Sequence, residues 1–289
     1  MKKLLFITFI ATIMVACTKE DPQHPQSLWY GAENHHDDKP VVEPKVFEFK
    51  NNALYINGER YYKFIEVPGG TFTMGTDTLT YHGYCNGDEL PHHQVTLSTY
   101  YIGITEVSQR FWNAIMGYWT YYNNGEDLPA DALSWTDCQV FVQRLHDYFD
   151  SVLDGAVISL PTEAQWEYAA LGGNMGHKHV YAGSNTCSDV CWSSADDIQS
   201  PQVIASKNAN ELGIFDMSGN VREWCHDLYG KYSSTPQTDP MGPSSGNHHV
   251  LRGGSFLTPE HDCRIKSRFS YPSIARTTDI GCRLVLMKK

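Results

Sequence analysis

Positive charge and long apolar runs are both scarce in this chain. Its 289 residues carry 22 Lys+Arg against 33 Asp+Glu, a formal net charge of −11. That balance argues against a nucleic-acid surface, where cationic contacts to phosphate dominate affinity. The N-terminal apolar stretch is shorter than the ~20 residues of a membrane-spanning helix. Several catalytic signatures are also missing. No HExxH occurs, and His92-His93 and His248-His249 are adjacent pairs, so neither has the spacing that puts two imidazoles on one helix face. Ser255 follows two glycines but lacks the GxSxG elbow of serine hydrolases, and the Gly-rich stretches lack a Walker lysine. The apolar fraction, 41%, is slightly low, but 17 Tyr, 12 Phe and 7 Trp supply bulky core material and exclude disorder throughout.

The beginning of the chain has a separate job. Residues 1–16 read MKKLLFITFIATIMVA, two lysines followed by an apolar run and small Ala16, which is the build of a secretory signal. Cys17 follows directly and resembles the acylated cysteine of a bacterial lipobox, with Met14 where such boxes usually carry Leu. Removal of the signal takes away Lys2 and Lys3 and moves the net charge from −11 to −13. Thr18-Lys19-Glu20-Asp21 resembles the surface-export signal of Bacteroidetes-type lipoproteins; a periplasm-facing lipoprotein is the alternative. Residues 21–44, rich in Pro, His, Asp and Glu without apolar periodicity, read as a flexible tether. Within it His35-His36-Asp37-Asp38 reads as solvated chain rather than a metal site.

From residue 46 onward short strands dominate. Phe47–Phe49 and Ala53–Ile56 precede a turn at Asn57-Gly58, and Lys63–Val67, Thr71–Gly75 and Gln94–Leu97 follow. The spacing predicts helices over Glu106–Met116, through Val107, Phe111 and Ile115, and over Ser134–Phe149, through Val140, Phe141 and Leu145. Ser134 is placed to cap the second, with Asp137 in its first turn. A third helix starts after Thr162, with Gln165 at the capping-box position, and stops at Gly172-Gly173. Roughly a hundred loop-rich residues follow, a length that disulfides, ions or function normally hold in place. The fold class is α+β with low regular secondary structure.

Six ordered segments carry a resemblance: VPGGTFTMGT (67–76), ITEVSQRFWNAIMG (104–117), LPTEAQWEYAALGG (160–173), NELGIFDMSGNVREW (210–224), LRGGSF (251–256) and DIGCRLV (279–285). Together they resemble the formylglycine-generating enzyme family, the sulfatase-modifying factors. The resemblance implies one C-type-lectin-like domain over residues 60–289, preceded by a signal peptide (1–16) and by an acylated cysteine, tether and leading strands (17–59).

It also implies chemistry. The family's enzymes oxidise a sulfatase cysteine to formylglycine with O2 and Cu(I), held by two thiolates, since soft sulfur selects Cu(I). Ser255 and Cys263 match the family's catalytic positions, but Thr258 stands where the first cysteine belongs. A hydroxyl is a hard, weak ligand and cannot replace a thiolate. Arg222 replaces a family Trp, and Asp279 a usual Asn. The family's calcium loop maps onto the side chains of Asp216 and Glu223 and the carbonyls of Gly219 and Val221. Oxygen donors around a sharp glycine turn suit that hard cation. A family disulfide maps, slightly shifted, onto Cys138 and Cys282. Cys187 and Cys191 are close enough in sequence for a local bond, and Cys85, Cys225 and Cys263 are left over.

These features point to an outer-membrane lipoprotein, surface-exposed or periplasm-facing, with the membrane as one partner through its lipid and a protein or glycan as another. No nucleic acid is expected. The sequence favours a binding or scaffold module, with a formylglycine-generating oxidoreductase as the alternative.

Overall fold

The computed structural model describes residues 44–76, 85–118 and 124–288. The signal segment, Cys17, the surface-export motif, residues 21–43 of the tether and its His35-His36-Asp37-Asp38 run lie outside the described residues. The domain opens with three antiparallel strands, β1 (Phe47–Lys50), β2 (Ala53–Ile56) and β3 (Glu59–Val67). Both connections are two-residue turns. Asn51 and Asn52 have φ of 52° and 56°, and Asn57 and Gly58 have φ of 52° and 78°. Two successive left-handed residues match the twist of the flanking strands, and Asn and Gly reach that conformation at least strain.

Next come β4 (Gly70–Met74), β5 (His93–Leu97) and β6 (Tyr100–Gly103). Helix α1 spans Gln109–Met116, and α2 spans Trp135–Phe149. The sequence placed the start of α1 at Glu106; the helix begins three residues later. Ser108 is its N-cap and accepts from the Phe111 N–H. Just before it, the Val107 N–H donates to the Cys282 carbonyl at 2.9 Å, and the Ala130 N–H donates to the Val107 carbonyl at 2.7 Å. Long-range partners therefore hold this segment extended. In α2 Ser134 and Asp137 form the expected capping box. Its inward face is Cys138, Phe141, Val142, Leu145 and Phe149, whereas Val140, expected on that face, points to solvent.

After β7 (Val157–Ser159) comes α3 (Glu163–Ala170), capped by Thr162 and Gln165 as the sequence indicated. Every residue of α3 is buried. Its two acids are neutralised from across the core. Arg268 donates to Glu163 at 2.6 and 2.8 Å, and Lys266 donates to Glu167 at 2.7 Å, with Arg252 also paired to Glu167. Buried pairs of this kind are retained because breaking one leaves an uncompensated charge. Then follow a single turn, α4 (Cys187–Val190), and the short strands β8 (Arg222–Leu228), β9 (Gln237–Thr238), β10 (His248–Arg252), β11 (Phe269–Pro272), β12 (Ile280–Gly281) and β13 (Val285–Met287).

Three sheets result. The six-stranded sheet has the order β1-β2-β3-β6-β13-β7, so β13 inserts between β6 and the edge strand β7. The others run β11-β10-β8-β12 and β4-β5-β9. One core packs α1 and α2 against the large sheet, with Trp112 stacked on Phe141 at 4.7 Å. The second surrounds α3. Among the described residues no helix is long and apolar enough to cross a membrane.

Candidate functional site

Strand β10 ends at Arg252 and delivers the Gly253-Gly254-Ser255 turn into the interior. Gly254 has φ of 69°, and a Cβ there would lie 2.7 Å from the Cys263 sulfur. Glycine is needed for both reasons. Ser255 is fully buried, and its hydroxyl donates to Asp279 Oδ2 at 2.7 Å. Thr258 closes the turn. Its Oγ1 accepts the Ser255 N–H at 2.8 Å and donates to the Ser255 carbonyl at 3.0 Å. The hydroxyl is thereby committed to the backbone, 3.5 Å from Cys263 Sγ.

Asp279 is the hub on the other side of Ser255. Arg222 donates to its Oδ2 through Nε at 3.0 Å and through Nη2, while the Thr277 hydroxyl donates to Oδ1 at 2.7 Å. Burial alone would raise this carboxyl, but Arg222 and the hydrogen bonds hold it below the ordinary Asp value. The Arg222 guanidinium lies 5.4 and 5.5 Å from the Phe269 and Tyr271 ring centroids. A charged pair thus runs along the side of the Ser255 turn.

Beneath it lies a second buried cluster. Glu223 receives Arg283 at 2.7 and 3.0 Å on one oxygen and 3.0 Å on the other, and Trp166 Nε1 donates to that second oxygen at 2.7 Å. Glu106 accepts from the Val221 N–H at 3.1 Å and from Asn220 Nδ2 at 2.8 Å. Asp216, itself at φ of 58°, accepts from the Ala205 N–H at 2.7 Å. Of these three carboxyls only Glu223 is bonded to the Arg283 guanidinium, whose charge also acts on the other two. Burial, reinforced by Asp216 and Glu223, pushes Glu106 well above the usual carboxylate range. Burial lifts Asp216 to about 6 despite the Ala205 N–H and Arg283.

Of the calcium ligands expected from the sequence, Asp216, Gly219, Val221 and Glu223 are all buried. Asp216 and Glu223 both point inward, but the two Glu223 oxygens are already taken by Arg283 and Trp166. Three N–H groups, Arg283 Nε and Nη2 and Trp166 Nε1, thus engage the carboxylate, of the about four acceptor positions it offers. Nor does Gly219 serve only the turn. A Cβ there would lie 2.2 Å from the Trp192 carbonyl and 2.5 Å from Cys191 Sγ. Among the described residues no group of three or more His, Cys, Asp or Glu is placed to hold a metal ion.

The cysteines fall into two buried groups apart from Cys85 and Cys225. Cys138 and Cys282 are neighbouring buried thiols, one on α2 and one in the segment before β13. Cys187, Cys191 and Cys263 gather in a small cluster with Tyr181 and Val190.

The family model of the sulfatase-modifying factor enzyme 1-like domain matches residues 55–288. The chain belongs to that family. It is 28% identical over 239 residues to the chaperone protein LppX of Paenibacillus barcinonensis, covering 67% of this chain and 82% of that one. It is 34% identical over 174 residues to the formylglycine-generating enzyme of Streptomyces coelicolor, covering 54% of this chain and spanning about half (51%) of that relative. Among solved structures, Treponema denticola variable protein 1 superposes with a TM-score of 0.71 at 26% identity, covering 80% of this chain and 97% of that one.

Within this sulfatase-modifying-factor domain, the departures at 222 and 279 explain each other: half-buried Arg222 and buried Asp279 form one ion pair. Cu(I) ligation through positions 258 and 263 does not fit the residues present, because one donor is a hydroxyl already bonded twice to backbone. Sequence reasoning missed Glu106, Arg283 and the Cys191 contact. Arg283 lies inside the quoted DIGCRLV segment, but no local spacing links it to Glu223 or Glu106.

Proposed function

We propose that this domain is a binding or scaffold module of a cell-envelope lipoprotein, and not a formylglycine-forming oxidase. The observation that carries the reading is the state of position 258. Its hydroxyl caps the Ser255 turn from both sides, where the oxidase chemistry needs a free thiolate. Two further features support it. The Ser255 hydroxyl is bound to Asp279, and the Arg222–Asp279 pair places fixed charge beside the turn. The similarity to a protein named a chaperone and to a variable protein is in keeping with a non-enzymatic role. Lipidation at Cys17 would hold the module at the outer membrane, with an acidic domain presented to a protein or glycan partner.

The test is incubation of the purified domain with Cu(I), O2 and a Cys-x-Pro-x-Arg peptide, followed by mass measurement. An unchanged peptide is expected. Conversion to formylglycine that disappears in Cys263→Ser would overturn the proposal.

A further inference from the structure

Cys187 and Cys191, four residues apart, share one buried cluster with Cys263, which lies more than seventy residues later in the chain. The Cys191 thiol neighbours both others in that cluster, and they, together with burial, push its pKa well above the ordinary value. The backbone is shaped around two of the sulfurs. Gly219 leaves room for Cys191 and Gly254 for Cys263, where any Cβ would come within 2.5 and 2.7 Å of the sulfur. Cys191 and Cys263 have no exposure. Cys187 keeps 5% and is flanked by exposed Thr186 and Ser188. All three are buried, with Cys187 keeping the little exposure there is and Cys263 lying beneath the Ser255 turn.

We propose that these cysteines form a thiol–disulfide exchange triad in which Cys191 is the shared partner, bonding alternately to Cys187 and to Cys263. The triad is loaded by an external disulfide of the glutathione class. The Cys187 thiolate attacks one sulfur of that disulfide; a mixed disulfide forms and one external thiol leaves. Cys191, as thiolate, then attacks Cys187 Sγ and expels the second external thiol. Two protein thiols have lost two electrons and two protons, and one external disulfide has become two thiols. The second exchange is internal and needs no further oxidant. The Cys263 thiolate attacks Cys191 Sγ, the electron pair of the S–S bond leaves on Cys187, and Cys187 takes up the proton that Cys263 released. The product ties the 187–191 segment to the 255–263 turn and leaves Cys187 as the free thiol. Rates of such steps follow access, which favours entry at Cys187, the one member of the three with any exposure.

The experiment equilibrates the whole domain in a glutathione redox buffer, quenches it in acid, alkylates it under denaturing conditions and maps the peptides without reduction. The expected cross-links are Cys187–Cys191 and Cys191–Cys263, never both in one molecule. Cys187→Ser retains only Cys191–Cys263 and forms it more slowly, and Cys263→Ser retains only Cys187–Cys191. Cys191→Ser leaves the other two cysteines fully alkylated. Circular dichroism confirms that each variant is folded. A Cys187–Cys263 cross-link in the parent or in Cys191→Ser overturns the proposal. So does full alkylation of all three cysteines in the oxidising buffer.

Discussion

Asp216→Asn isolates the electrostatics of the acidic cluster. Asp216 is almost fully buried beside Glu106 and Glu223, and its pKa rises from 3.8 to about 6. A buried acid whose folded pKa is raised binds its proton more tightly in the native state, so stability falls as pH rises between those two values. The shift of about two units corresponds to about 3 kcal/mol lost once pH exceeds 6. Asparagine removes that penalty. It can still accept the Ala205 N–H, and it tolerates the left-handed backbone at this position. In calcium-free buffer at pH 7.5, Asp216→Asn is therefore expected to gain about 3 kcal/mol, or roughly 6–12 °C in Tm for a domain of this size. The gain should shrink toward zero as pH falls below 3.8, where both states of the parent carry the proton. Thermal melts across pH, followed by circular dichroism, give the comparison. A variant less stable than the parent at pH 7.5 would refute the burial argument. Added calcium is expected to leave the difference unchanged, because Arg283 already occupies Glu223; a calcium-dependent gain confined to the parent would restore Asp216 as a ligand.

Three other outcomes follow from the same geometry. Thr258→Val leaves the buried Ser255 N–H without its acceptor and should lose about 1–3 kcal/mol in denaturant melts, whereas Thr258→Ser keeps the cap. Arg222→Ala strands Asp279 and should lose about 3 kcal/mol, most of it recovered when Asp279→Asn is added. Because the folded pKa of Asp279 lies below 3.8, the stability its ionisation contributes is present above that value and fades as pH falls through the folded pKa. Cys17→Ala should move the full chain from the membrane to the soluble fraction of cells; an unchanged distribution would contradict acylation there.

What the residues disclose by themselves follows from the range of the interactions. The Asn57-Gly58 turn and the caps Ser134/Asp137 and Thr162/Gln165 are readable because each is closed within four residues. The start of α1 is not, since Cys282 and Ala130 hold Val107 extended against its local periodicity. Val140 misled because two adjacent apolar residues fit a helical stripe equally well until the packing partner is known. At the site, Thr258 was legible as a substitution at a fixed offset from Ser255. What it does was not, because the cap depends on the path of the backbone. Glu223 looked like a free oxygen donor until Arg283, sixty residues later, was found on it. The Cys191–Cys263 contact has no spacing rule behind it, only the close approach that Gly219 and Gly254 allow.

The central claim is that a committed hydroxyl at 258 leaves Cys263 outside oxidase chemistry. Its most direct test is the conversion of one Cys-x-Pro-x-Arg peptide, measured by mass under Cu(I) and air, with this domain and the Streptomyces coelicolor enzyme run side by side at equal concentration. The account predicts formylglycine with the relative and unmodified cysteine with this domain. Formylglycine from this domain, lost on Cys263→Ser, would contradict it.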